Sequence, residues 1–408
     1  MPSIMSLSLQ RIFPALSEPT LRRYLTGQVV SVLGSWTQNV TLNLVVYHLS
    51  GSGAVLALLN FLLYGPQLVI APIAGARISS HNARRTTLAV LYASLAVACS
   101  LAVLSAFGVL TLPLILAHAI VIGVLTSIES PARQVLLVSC LEDAALLPNA
   151  VAMNTMVYNV GRMVGPTIAA VLYPTLGPPV AFATYAVALC VMAWCVRSMV
   201  IQPRMTKKGD SRGGLRAAFA YILDDPFTAK YLSILACMGL FAGSYQTLVP
   251  LIADRVFHDA ATFTGVFFAA AGVGSLSAAV ILSSAIGSMM TQRYLSVAPW
   301  IAGVALAVLA LAGHAALTAF AFFALGFSLT FSATSTNATI QRRCPDSVRG
   351  ALVGMYGMAY NGTMPFGYLL VGAVSEALGV QGAFGAMAVV LGASLTLLTV
   401  LHRVKAAH

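Results

Sequence analysis

Charge is scarce in this chain, and negative charge scarcest. Asp, Glu, Lys and Arg make up 8% of its 408 residues, and only eleven are acidic. An ordinary soluble domain carries about 25% charged residues, so a water-soluble globular fold is excluded. The six cysteines (Cys99, Cys140, Cys190, Cys195, Cys237 and Cys344) form no CxxC pair, so neither a disulfide framework nor a zinc site is expected. The chain also lacks a Walker-type phosphate loop, an HExxH pair and a GxSxG elbow, which excludes an ATP-driven pump and the commonest hydrolases. No enzyme activity, cofactor or metal is predicted. The opening stretch MPSIMSLSLQRIFPALSEPTLRRYL has no apolar segment before its first basic residue, so a cleavable leader is not expected.

Apolar residues are what the chain has in abundance: 59% of the total, with a mean hydropathy of +0.89. They fall in runs of about 20, the length that spans a bilayer as an α-helix. They do not alternate as outer-membrane strands would. Twelve spans are predicted, near 24–48, 54–76, 86–108, 111–129, 149–173, 179–199, 230–253, 262–287, 294–313, 315–339, 350–375 and 381–401. The fold class is therefore all-α integral membrane. The expected organisation is an N-terminal six-helix bundle (1–200), a basic linker on the cytoplasmic side (201–229) and a C-terminal six-helix bundle (230–408).

Basic residues give the orientation. With the N-terminus inside, 20 of the 22 Lys and Arg residues fall in inward tails and loops, and only Arg162 and Arg255 do not. Both termini are thus predicted to be cytoplasmic. The net charge of +11 is accounted for by contact with anionic lipid, with no need for nucleic acid.

The halves repeat. A shift of 202 residues lays VAMNTMVYNVGRMVG (151–165) on VGMYGMAYNGTMPFG (353–367), matching Tyr158 with Tyr360, Asn159 with Asn361 and Gly165 with Gly367. A looser match at a shift of 209 pairs Ser35 with Ser244 and Gly65 with Gly274. Two similar halves joined by a polar linker predict a carrier that rocks about a central site, with a small-molecule substrate.

Four stretches carry a resemblance to a known family: GSWTQNVTLNLVVYHLSGS, GARISSHNARR, ESPARQVLL continuing to LPNAVAMNTMVYNVGRMVGP, and PDSVRGALVGMYGM. The chain resembles the major facilitator superfamily, and within it the branch of enterobactin-exporter-like and macrolide-efflux-like proteins. The resemblance implies a gating role for Gly75, Ser79, Arg84 and Arg85 in the loop after the second span, for Arg133, and for Gly161, Gly165 and Pro166 in the fifth. The loop motif is degraded: Ser79 and Ser80 stand where the family has an aspartate and a basic residue, so the family's ion-pair lock cannot form as such. The same resemblance implies that spans 1, 4, 7 and 10 line the transport cavity.

Helical spacing then selects candidate lining residues. Asn154, Tyr158 and Arg162 share one stripe of the fifth span, and Tyr360 and Asn361 are the repeat counterparts of Tyr158 and Asn159. Trp36, Gln38 and Asn39 on the first span, Tyr245 and Gln246 on the seventh, and Asn337 on the tenth complete the set of substrate-binding candidates. Arg162 is the exception among them, a cation near the middle of an apolar run with no acidic residue predicted at its depth. Such a charge costs about 2.5–3.5 kcal/mol on insertion scales. Two readings stand: bonding to backbone carbonyls and polar neighbours such as Tyr158, or binding an acidic group of the substrate. For proton antiport, the titratable candidates in the pathway are His118 and Glu129, and for each the alternative is a structural role, Glu129 pairing with Arg133. The expected function is export of a siderophore or similar anionic metabolite across the inner membrane. Macrolide-type drug efflux, a lysophospholipid flippase and a non-transporting receptor are the alternatives.

Overall fold

The computed structural model describes residues 14–199, 211–283 and 287–407, so the first thirteen residues and the basic start of the linker lie outside the described part. The described residues are almost wholly helical. Helix α1 spans Pro19–Ser50, α2 Gly53–Arg77, α3 Ala83–Ala106 and α4 Leu112–Ser139. Helix α5, Leu147–Arg197, holds two spans folded at Gly177, whose φ of 80° only glycine adopts readily. A short linker helix, α6 (Ser211–Asp224), precedes α7 (Pro226–Arg255), α8 (Ala260–Ser283), α9 (Ala298–Ala310), α10 (Ala315–Arg343) and α11 (Asp346–Tyr360). Helix α12, Met364–Ala407, completes the eleventh span and, beyond a bend at Gly379 (φ 73°), forms the twelfth. Gly177 and Gly379 lie 202 residues apart, so the repeat read from side chains is repeated in the backbone. With α5 and α12 each folded at a glycine, the described residues supply twelve helical passes.

One boundary differs from the sequence reading. The fourth span runs through Pro131 to Ser139 instead of ending at Glu129. A proline inside a helix costs an interior hydrogen bond, but here the charges flanking it, Glu129 and Arg133, neutralise each other one turn apart. That pairing lets the helix carry both into the interior.

The chain divides into two compact units. Unit 1 comprises residues 1–45 and 62–207, and unit 2 comprises 46–61 and 208–408. In unit 1, Tyr24, Leu91, Ala98, Leu136, Leu189 and Met192 form one buried cluster. Arg84 closes its end: Nε donates to the Val196 carbonyl at 3.2 Å and Nη2 to the Arg197 carbonyl at 2.5 Å, with Arg23 Nη1 on the Ser198 carbonyl at 3.2 Å. Cations at a helix C-terminus satisfy its free carbonyls and oppose its dipole. Arg84→Ala should therefore cost about 1 kcal/mol and lower the melting temperature in detergent by roughly 2–4 °C. An unchanged melting curve would show the contacts to be idle.

Unit 2 is built around aromatic rings. Phe257, Phe263, Phe267, Phe322 and Phe384 pack in sequence at centroid distances of 4.8–6.2 Å, with Tyr245 5.8 Å from Phe322. The α7 backbone is not a simple α-helix there. A π-turn at Met238–Ala242 passes into 3-10 geometry at Gly243–Leu248, which lets α12 approach closely. A Cβ at Gly367 would run into Ser244 Oγ and the Leu240 carbonyl. The hairpin 46–61 packs in this unit. Tyr47 donates to Asp254 Oδ2 at 2.7 Å, Ser52 Oγ and the Ala54 amide both donate to Glu376 Oε1, and Arg255 Nη2 donates to the Gly51 carbonyl at 3.1 Å. Outside, Val171, Val187, Trp194, Leu311 and Val389 stand exposed, the apolar surface that lipid covers.

Candidate functional site

Unit 1 encloses a cavity of about 220 Å³ between α1, α2, α4 and α5. From α1 it is lined by Ser31, Ser35, Trp36, Gln38 and Asn39, and from α4 by Thr126, Glu129, Ser130 and Arg133. Tyr64 on α2 and Tyr158 and Tyr185 on α5 complete the polar wall. The geometry follows from small residues. A Cβ at Gly161 would drive into Val32, and one at Gly165 into Trp36 Cβ, with the Leu33 carbonyl at 3.1 Å. Because both positions are glycine, α5 lies directly on α1, and Thr37 Oγ1 donates to the Gly165 carbonyl at 3.2 Å. Pro166 is buried beside this contact.

Arg162 is half-buried on that same face. Its guanidinium carbon lies 5.4 Å from the centroid of the Trp36 ring, a cation–π contact, and its charge acts on Tyr64. Among the described residues no carboxylate comes within ion-pair distance of it. Tyr64 in turn accepts from Asn39 Nδ2 at 2.9 Å. Arg162 thus touches one residue of the cavity wall, Trp36, and acts electrostatically on a second, Tyr64.

Arg162 itself is not among the residues lining the cavity; the cation that lines it is Arg133, only 6% exposed. It pairs with Glu129 and donates from Nη1 to Gln28 Oε1 at 2.5 Å and from Nη2 to Ser31 Oγ at 2.9 Å. Its Nε finds no partner, nor does Gln38 Oε1. Buried polar atoms are usually paired, so both atoms are open to a further hydrogen-bond partner, water included.

The remaining candidates sit elsewhere. Asn154 is half-buried with its Oδ1 unpartnered, and Tyr158 is the exposed member of its stripe. His118 bonds to Ser100 Oγ through Nε2 at 2.8 Å and to the Leu114 carbonyl through Nδ1 at 2.7 Å. Eleven residues separate it from Glu129, about 16 Å along the helix, and only Glu129 lines the cavity. Gly75, Ser79 and Arg85 are exposed, and the Ser79 amide donates to Asn82 Oδ1 at 2.7 Å. In unit 2, Tyr245 is part of the aromatic core and Gln246 is buried. Asn337 accepts from Gln341 at 2.8 Å. Tyr360 and Asn361 flank the break between α11 and α12, where Thr363 Oγ1 donates to the Tyr360 carbonyl at 3.1 Å.

Tyr64, Thr126 and Ser130 line the cavity, and Gln28 holds Arg133 there, although none of the four is among the sequence candidates. Gln28 is within reach of the sequence, because Gln28, Ser31, Ser35 and Gln38 recur at helical spacing on the first span. Tyr64 is not, because it comes from the second span, outside the four expected to line the cavity.

Residues 11–408 match the model of a family described as transmembrane secretion effectors. The chain belongs to that family. It is a multi-pass major facilitator transporter, not an enzyme. Among curated relatives, the staphyloferrin A transporter of Staphylococcus aureus (strain NCTC 8325 / PS 47) is 24% identical over 375 residues, 90% of this chain and 92% of the relative. Solved structures of similar fold include the nucleoside transporter NupG, with a TM-score of 0.73, 12% identity and coverage of 93% of this chain and 99% of that one. A bacterial homologue of the human lysosomal transporter Spinster gives 0.71, 13% identity and coverage of 95% and 98%. A bacterial homologue of the iron transporter ferroportin gives 0.69, 12% identity and coverage of 93% and 98%. At these identities the structures speak to fold alone.

Proposed function

We propose that this transporter is a secondary active exporter, moving a siderophore or similar anionic metabolite out of the cytoplasm by alternating access. The observation that carries the reading is Arg162. It is a guanidinium held against Trp36 in a spanning helix, with no carboxylate partner among the described residues. A planar fork of donors suits a carboxylate or phosphate oxygen pair. The relative named for staphyloferrin A supports the siderophore class. Outward direction rests on the secretion-effector family, and an inner-membrane location with both termini inside rests on the distribution of basic residues.

Two experiments test it. Culture supernatants of cells with and without the gene should differ by one acidic metabolite that is secreted only when the gene is present, as read by mass spectrometry. Identical supernatants refute export. In inverted membrane vesicles, uptake of that metabolite should collapse on addition of an uncoupler, and uptake indifferent to it would remove ion coupling.

A further inference from the structure

The Glu129–Arg133 pair does more than neutralise itself. We propose that Arg133 is a second anion subsite of the transporter, that Glu129 occupies it in place of the cargo, and that cargo and proton therefore load together. This inference rests on the anionic-cargo reading above and adds the sign of the coupling.

The argument is one of satisfied and unsatisfied atoms. The pair faces the cavity, and among the described residues Arg133 Nε and Gln38 Oε1 have no hydrogen-bond partner there. Gln28 and Ser31 fix the guanidinium in place from α1, so it stays aimed when Glu129 leaves. Glu129 has no comparable support. Among the described residues it pairs with Arg133 alone, one turn along the same helix. The other titratable groups nearby are Tyr24 on α1, Tyr158 and Tyr185 on α5 and Cys140 at the end of α4. None of these is a cation; the other positive group near the cavity wall, Arg162, is engaged by the Trp36 ring and acts on Tyr64.

When a cargo carboxylate takes the guanidinium, Glu129 is left as an unpaired buried anion beside another anion. Burial and like charge both favour its neutral form, so it takes up a proton. The exchange balances: Glu129 gains one proton, the cargo's carboxylate replaces it on Arg133, and the net charge of the occupied site equals that of the empty pair. Proton and anion then move in the same direction, not opposite ones. For a polycarboxylate, net negative charge still leaves the cell. An inside-negative potential favours that by about 2.3 kcal/mol per charge per 100 mV.

The test uses the purified full-length chain, citrate as a soluble polycarboxylate probe, and titration calorimetry in two buffers of different ionisation enthalpy. Wild type should take up about one proton per citrate bound, and its affinity should fall as pH rises. Glu129→Gln, which keeps the shape, should take up none, lose that pH slope and bind citrate about tenfold tighter above neutral pH. Glu129→Asp should restore both proton uptake and slope. Equal proton uptake by wild type and Glu129→Gln overturns the exchange. If Arg162→Ala loses citrate while Glu129→Gln matches wild type, the anionic-cargo reading survives and this inference fails. If neither wild type nor Glu129→Gln binds citrate, both fall.

Discussion

Replacing Arg162 with alanine should reduce transport of the acidic metabolite at least about 30-fold while leaving insertion and expression intact. Losing one partner of a desolvated charge pair costs about 2–5 kcal/mol, and 2 kcal/mol is already roughly that factor. Stability should hold because no ion pair within the protein breaks: among the described residues the guanidinium is engaged by the Trp36 ring and not by a carboxylate. Removing a costly buried cation should if anything ease folding. Transport assays on Arg162→Ala, with membrane abundance measured by blotting, check both halves. Wild-type transport would refute the assignment of Arg162, and loss of the protein from the membrane would refute the claim that it is not structural.

The second large effect concerns the helix contact beside it. Gly165→Leu should destabilise the protein by roughly 1–3 kcal/mol or more and abolish transport, because the new side chain meets Trp36, the Leu33 carbonyl and the Thr37 amide at once. The melting temperature in detergent should fall by about 3–10 °C. Gly354 supplies the control: a Cβ added there would meet no atom within 4 Å, so Gly354→Ala should melt as wild type does. If Gly165→Leu melts normally, α1 and α5 are not held by that glycine, and the cavity wall they form needs another explanation.

The fold could be read from the sequence because lipid imposes a simple rule: every spanning segment must be apolar and close its own hydrogen bonds. The runs of about 20 residues, the 202-residue repeat and the scarcity of carboxylates all express that rule. The site was less legible, and the reason is specific. Arg162 stands out because its neighbours in sequence are apolar. Arg133 does not, since Glu129 and Pro131 beside it look like the end of a span and the start of a loop. The helix in fact continues through that proline, and Glu129, Gln28 and Ser31 together hold Arg133 inside. Likewise Tyr64 acquires its role from Asn39, 25 residues away, a relation that no periodicity within one helix reports. The serine-bearing loop after α2 shows the reverse case. The altered motif was visible, but the partner Arg84 finds instead, the carbonyl end of α5, came only from the structure.

The hairpin 46–61 has a consequence for any attempt to divide the gene. Its partners Asp254, Arg255 and Glu376 belong with it in one compact body, although more than two hundred residues separate the two in sequence. A fragment starting after the central linker would therefore lack the peptide whose Gly53, Ala54 and Ala57 pack against Gly372, and would present the carboxylates of Asp254 and Glu376 without their hairpin partners. The duplication visible in the repeat has not left two self-sufficient modules, and fragment complementation should need the whole first hairpin supplied from the other piece.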